Sequence, residues 1–164
     1  MQYIIAIVVC VFFSAYFSAT ETAFTSVNRI RMKNLANDGN KRARDVMDLT
    51  EQYDSLLSTI LVGNNIVNIV ATSVATLLFT SLIADKALAT TVSTAVMTLA
   101  VLTFGEITPK TIAKRTADSF SKKVAGIFEV LMAVFTPLTA IFNLWQKFVM
   151  SFVKGEDSSV TEDE

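Results

Sequence analysis

The stretch Phe104-Gly105-Glu106-Ile107-Thr108-Pro109-Lys110 decides how the rest of the chain is read. Its Glu106 follows 19 uncharged residues, Ala87 to Gly105. Within seven residues it brings a glycine, a carboxylate, a helix breaker and a cation. An apolar helix that simply ended would need no carboxylate there. The expectation is a membrane helix broken near Pro109, with Glu106 facing an ion. Pro109 removes a hydrogen bond from the preceding turn, which frees carbonyls around Gly105. Unwound backbone at membrane depth is tolerated where it lines a cavity, and its carbonyls can hold cations. The plainer reading of Glu106 is a helix-end carboxylate paired with Lys110, four residues on.

Composition supports a membrane setting. The 164 residues are 52% apolar with a mean hydropathy of +0.49, and the 18% that are charged fall in clusters. Long uncharged runs between short charged ones mark an integral membrane protein. The net charge of -1 gives no bulk field for nucleic acid. There is one cysteine, Cys10, and no histidine. This rules out an internal disulfide, imidazole metal sites and Ser-His catalysis. With one carboxylate in the motif, neither a metalloprotease centre nor an aspartyl dyad can be built there.

The first span covers roughly residues 3–27. It lacks the basic start of a signal peptide and reads as a retained helix. Its outer half is aliphatic and aromatic. Ser14, Ser18, Glu21 or Thr22, and Thr25 then recur at helical spacing on one face. Hydroxyls on such a face often bond back to their own helix, which is the default for Thr22 and Thr25. Glu21 is expected to pair with a basic residue at the cytoplasmic face. Residues 28–54 are charged, and Arg29, Arg31, Lys33, Lys41, Arg42 and Arg44 mark that side. Apolar residues among them suggest short interfacial helices.

The second span, Ser55 to Ala84, holds 30 residues without a charge, roughly 45 Å of helix. It carries Gly63-Asn64-Asn65-Ile66-Val67-Asn68. Asn64 and Asn68 lie one turn apart and could share the cavity of Glu106, while Asn65 reads as an amide that joins helices. Gly63, Ala71 and Ala75 would allow close packing. Asp85 and Lys86 make a minimal outer loop before the third span, about residues 87–104. A second basic cluster, Lys110, Lys114, Arg115, Lys122 and Lys123, belongs on the same side as the first.

Val124 to Val153 is divided by Pro137 into pieces of about 13 and 16 residues. It reads equally as a kinked fourth span or as an interfacial helix pair, with Trp145 and Lys147 as anchors. Residues 154–164 are acidic and read as a disordered tail.

Hydroxyl, amide, carboxylate and backbone oxygens suit a hard cation such as Mg²⁺, Ca²⁺ or Na⁺. One carboxylate leaves a divalent ion under-neutralised, which suits a site that must release its cargo. The rival reading is a dimeric sensor or scaffold whose polar residues only hold helices together.

Three ordered motifs carry a family resemblance: Phe17-Ser18-Ala19-Thr20-Glu21-Thr22-Ala23, Leu57 to Asn68, and Phe104 to Lys110. Together they resemble the DUF21 transmembrane domain of the CorC and cyclin M (CNNM) magnesium transporters, over about residues 1 to 150. The resemblance implies an all-α integral membrane protein with three transmembrane helices plus juxtamembrane helices, forming a homodimer in the bilayer. It implies a DUF21-like domain over residues 1–153, in a plasma membrane, with the N-terminus outside and the C-terminus cytoplasmic. It implies Mg²⁺ export with proposed coupling to Na⁺ entry. Carried over by motif, the ion ligands are the Ser18 hydroxyl, the Asn64 side chain, the Gly105 carbonyl and Glu106, with Ser14 and Asn68 as further candidates. Family members usually continue into a nucleotide-binding CBS-domain pair, which these residues do not include.

Overall fold

A computed structural model describes residues 1–153, and they are helical almost throughout. In chain order the helices are α1 (Gln2–Ser26), α2 (Arg29–Asn37), α3 (Lys41–Glu51), α4 (Tyr53–Leu82) and α5 (Lys86–Ala100). A π-helical turn (Val101–Ile107), α6 (Thr108–Arg115) and α7 (Ala117–Val153) follow. Three stretches are long and apolar enough to cross a membrane: α1, α4, and the continuous run Lys86–Arg115.

The N-terminal half of α1 exposes Ile4, Ile5, Val8, Val9, Phe12 and Phe13. That would be a fault in water but is the expected state in hydrocarbon. From Ser14 onward the helix turns inward: Ser14, Phe17, Ser18, Ala19, Thr20, Ala23 and Phe24 are buried. The expected polar stripe is therefore the face that meets the other two spans. Thr20 donates to the Tyr16 carbonyl and Thr25 to those of Glu21 and Thr22, so these hydroxyls are satisfied within their own helix.

On α4, Thr59, Thr72, Thr76 and Thr80 each donate to the carbonyl four residues back. A threonine-rich span can thus sit in hydrocarbon without unpaired hydroxyls. The packing glycine and alanines act as their spacing implies. Gly63 lies against the Phe17 ring, and Ala71 and Ala75 are fully buried beside Met97 of α5. Ala89 and Ser93 of α5 are also fully buried, and Ser93 Oγ lies 3.4 Å from Thr76 Oγ1 across the hairpin.

The hairpin is closed by Asp85. Its carboxylate accepts the amides of Ala87 at 2.9 Å and Leu88 at 3.2 Å, which caps α5. Asp85→Ala is expected to cost about 1 kcal/mol, read as a fall in the unfolding midpoint of the detergent-solubilised protein.

The charged segment forms the two short helices expected of it. Asn28 accepts the Arg31 amide at 3.0 Å and Asn40 accepts the Ala43 amide at 3.1 Å. Between them, Gly39 takes a φ of +89° and closes α2: its amide bonds to Ala36 and that of Asn40 to Leu35. Met32, Val46 and Leu49 then pack with Phe24, Leu56, Val124 and Phe128 into a core beneath α1 and α4. Asp118 ties the layer together, accepting the Asn28 amide at 3.0 Å and pairing with Arg31 at 3.2 Å.

Two expectations are corrected. The third span does not break at Pro109. It widens into a π-helical turn and continues as α6, with Pro109 in that helix's first turn, where a missing N–H is tolerated. Nor does Pro137 divide the last stretch, because α7 runs through it as one helix. Trp145 is exposed and its ring tilts against Phe148 at 5.7 Å. The side chains of Asn143 and Lys147, and the acidic tail 154–164, lie outside the described residues.

Candidate functional site

Ser14 is where the three spans meet. Near the middle of α1, its hydroxyl donates to Asn64 Oδ1 of α4 at 3.0 Å. The same oxygen faces the third span so closely that a Cβ added at Gly105 would lie 2.9 Å from it. Glycine at 105 is what lets α1 press a hydroxyl onto the π-helical turn. Ser14 and Gly105 are buried and Asn64 is half-buried. The junction thus joins a hydroxyl, an amide oxygen and backbone from three helices. An amide oxygen has two lone pairs, so Asn64 can accept from Ser14 and still offer a site to a cation.

One turn along α1, Ser18 is fully buried and its Oγ has no hydrogen-bond partner among the described residues. Thr20 and Thr25 show that this helix can satisfy a hydroxyl internally, and Ser18 does not do so. Leaving a buried hydroxyl unpaired costs about 1–3 kcal/mol, which calls for a reason. Asn68 Oδ1 is likewise buried and unpaired, but it belongs to a different hollow. There it lines a cavity of about 220 Å³ with Thr72, Thr94 and Thr98. The structure therefore brings Ser14, Asn64 and Gly105 into direct contact, sets Ser18 one turn away, and sends Asn68 toward the groove between α4 and α5.

Glu106 follows Gly105 and is half-buried. It makes no hydrogen bond or ion pair among the described residues. Lys110, the partner offered by the plain reading, is instead 3.0 Å from Glu21 of α1. That contact meets the expectation that Glu21 pairs with a basic residue, and it leaves the carboxylate of the motif unneutralised.

The π-helical turn adds backbone oxygens. Thr108 donates its amide to Thr103, five residues back, and α-helical bonding resumes in α6. Between the two patterns the carbonyls of Phe104, Gly105 and Glu106 have one amide in register, that of Lys110, because Pro109 has none. Two of the three carbonyls are left without a helical donor. Widened turns of this kind recur at functional sites.

No group of three or more His, Cys, Asp or Glu that could hold a metal occurs among the described residues. Any ion here would be held by one carboxylate and neutral oxygens, a hard-donor set. Asn65, read from sequence as a helix-joining amide, is exposed on α4 and has no hydrogen-bond partner among the described residues. Ser14 was ranked behind Ser18 by motif, although the polar stripe already included it. The unpaired hydroxyl of Tyr16 was not singled out at all.

Comparison with known proteins agrees with this architecture. Residues 5–164 match the family profile described as the cyclin M transmembrane N-terminal domain. The chain is 38% identical to a UPF0053 protein of Haemophilus influenzae over 149 residues, which are 91% of this chain and 35% of that protein. It is 35% identical to the UPF0053 inner membrane protein YfjD of Escherichia coli over 137 residues, 84% of this chain and 32% of that one. A polyamine export protein of Haemophilus influenzae is 27% identical over a gapped alignment of 176 positions, which covers 98% of this chain and 40% of that protein. The chain thus spans about a third of the length of the first two relatives. With three apolar helices meeting at Ser14 and this match along nearly its whole length, the chain belongs to the cyclin M transmembrane-domain family and is a membrane domain of that family.

Proposed function

We propose that this domain carries Mg²⁺ across the plasma membrane, outward and coupled to Na⁺ entry, by alternating access around the Ser14–Asn64–Gly105 junction. Ser18 and Glu106 complete the ligand set. The observation that carries the proposal is the fully buried, unpaired Ser18 hydroxyl beside a junction made only of oxygen donors. A bound cation gives that oxygen the partner the protein does not supply. A single carboxylate holds a divalent ion loosely enough to release it. The widened turn at Val101–Ile107 is the point at which the third span can move against α1 and α4.

The basic residues of α2, α3, α6 and the start of α7 face the cytoplasm in this reading, which puts the N-terminus outside. The working unit is a homodimer. Asn65 supports it, since an exposed amide near the middle of a membrane helix needs a polar partner that one chain does not provide. The relative named a polyamine export protein supports a second cargo, an organic polycation, whose ammonium groups could donate to the same acceptor oxygens. The compactness of the junction and its lone carboxylate favour the single metal ion.

Efflux from cells loaded with Mg²⁺ or with spermidine separates the two cargoes, using the full-length protein. Ser18→Ala is the informative variant. It removes an unpaired buried hydroxyl, so stability is expected to stay level or rise by up to about 1 kcal/mol. Mg²⁺ efflux is expected to fall roughly tenfold, the scale of one lost hydrogen-bond-strength contact. Unchanged efflux in Ser18→Ala would remove that residue from the site. Efflux of neither cargo by the wild type, with Asn64→Ala only weakening the dimer, would support the non-transporting scaffold.

A further inference from the structure

Two cavities, one apolar and one of mixed polarity, adjoin on the face between α1, α6 and the start of α7. The first, about 340 Å³, is walled by Phe12, Tyr16 and Ala19 of α1, Pro109 and Ile112 of α6, and Phe120 of α7, and is almost wholly apolar. The second, about 430 Å³, is lined by Ser26, Arg31, Lys114, Arg115 and Asp118. Thr116 lines both, so the two adjoin at that residue.

That surface has the dimensions and polarity of one bilayer leaflet. Phe12, Tyr16, Ala19 and Ser26 lie along one face of α1 at helical spacing. Phe12 to Ser26 spans roughly 21 Å at 1.5 Å per residue, about half a hydrocarbon core plus a headgroup layer. The polar end is also cationic. Arg31 is neutralised by Asp118 at 3.2 Å, whereas Lys114 and Arg115 make no ion pair among the described residues. An apolar channel that opens onto two unpaired cations at the membrane surface matches a lipid carrying an anionic headgroup.

We propose that this surface is a binding site for one anionic phospholipid. Its phosphate and headgroup lie against Lys114 and Arg115, and an acyl chain lies along Phe12, Tyr16 and Pro109. With the basic end at the cytoplasm, the lipid belongs to the inner leaflet. The site is separate from the ion junction and does not depend on which cargo is carried. A basic cluster that only set topology would attract all anionic lipid weakly. A formed site retains one molecule and discriminates between headgroups.

The test uses delipidated full-length protein in detergent. Phosphatidylglycerol, phosphatidylcholine or inorganic phosphate is titrated while bound lipid is counted by native mass spectrometry and thermal stability is followed. Two unpaired cations near a membrane surface correspond to roughly 30-fold preference for phosphatidylglycerol over phosphatidylcholine. Lys114→Gln with Arg115→Gln is expected to bring that preference close to one while the protein stays folded. Ala15 also lines the apolar groove, so Ala15→Phe, which adds a ring there, is expected to reduce retention of both lipids without changing the oligomeric mass. Equal binding of the two lipids by the wild type would overturn the proposal. So would full stabilisation by inorganic phosphate alone, which would mark a free-anion site. A change from dimer to monomer in Ala15→Phe would also overturn it, because the groove would then be covered by a second copy of the chain.

Discussion

Glu106→Gln is expected to abolish Mg²⁺ efflux while leaving the fold intact. The substitution keeps the shape of the side chain and removes only its charge. Nothing among the described residues neutralises that charge, because Lys110 is occupied by Glu21 at 3.0 Å. Glu106 is therefore the one formal negative charge the ion would meet at the junction. Removing one member of a close charged pair in a desolvated site costs about 2–5 kcal/mol, at least 30-fold in affinity. Lys110→Gln is the matching control. It breaks an ion pair whose side chains are 39% and 26% exposed, so its effect on stability is expected to stay below about 1 kcal/mol. Efflux should persist in that variant. If Lys110→Gln abolished efflux as Glu106→Gln does, the division of labour between the two carboxylates would be wrong.

The largest effect on stability is expected at Gly63. A Cβ there would lie 2.5 Å from Phe17 Cζ and 2.6 Å from Phe17 Cε1. The ring cannot easily yield. Phe17 is 6% exposed, and its ring is held edge-on by Phe128 at 6.0 Å and by Tyr16 at 6.3 Å. Overpacking of this kind costs about 1–3 kcal/mol for a small addition. Gly63→Val adds three carbons to a contact already too close for one, so a loss of at least about 3 kcal/mol is expected, seen as poor expression or a collapsed unfolding midpoint. Gly126 provides the opposite case. It is exposed on α7 and a Cβ there would meet nothing within 4 Å. Gly126→Ala is expected to stabilise the protein by about 0.5–1 kcal/mol through helix propensity alone. Two glycines in one helical protein should therefore respond with opposite sign.

The three spans were legible because uncharged length is a coarse signal that needs no tertiary information. The second was read as Ser55 to Ala84 and forms Tyr53–Leu82. The interfacial helices were legible from the apolar residues among their charges, whereas their caps at Asn28 and Asn40 were not singled out. The third span was harder. Proline reads as a breaker, but here the turn before it has already widened, which sets Pro109 at the start of a new α pattern. Within that turn Gly105 lies under Ser14, a contact between residues 91 positions apart that no local reading can see. Pro137 was misread for the same local reason, since α7 continues through it as one helix. Within the site, the residue types followed from the motifs, but their rotation about each helix did not. Spacing places Asn64, Asn65 and Asn68 within one turn or so. Only packing shows that Asn64 meets Ser14, Asn68 lines another hollow, and Asn65 faces outward.

The most direct measurement is a density map of the full-length protein in Mg²⁺ at a resolution that places a bound ion. The account predicts an ion contacted by Ser18 Oγ, Asn64 Oδ1, the Gly105 carbonyl and the Glu106 carboxylate, at about 2.0–2.1 Å wherever a contact is direct. A map showing these oxygens unoccupied, with Mg²⁺ bound only at the α3 carboxylates Asp45, Asp48 or Glu51, would contradict it.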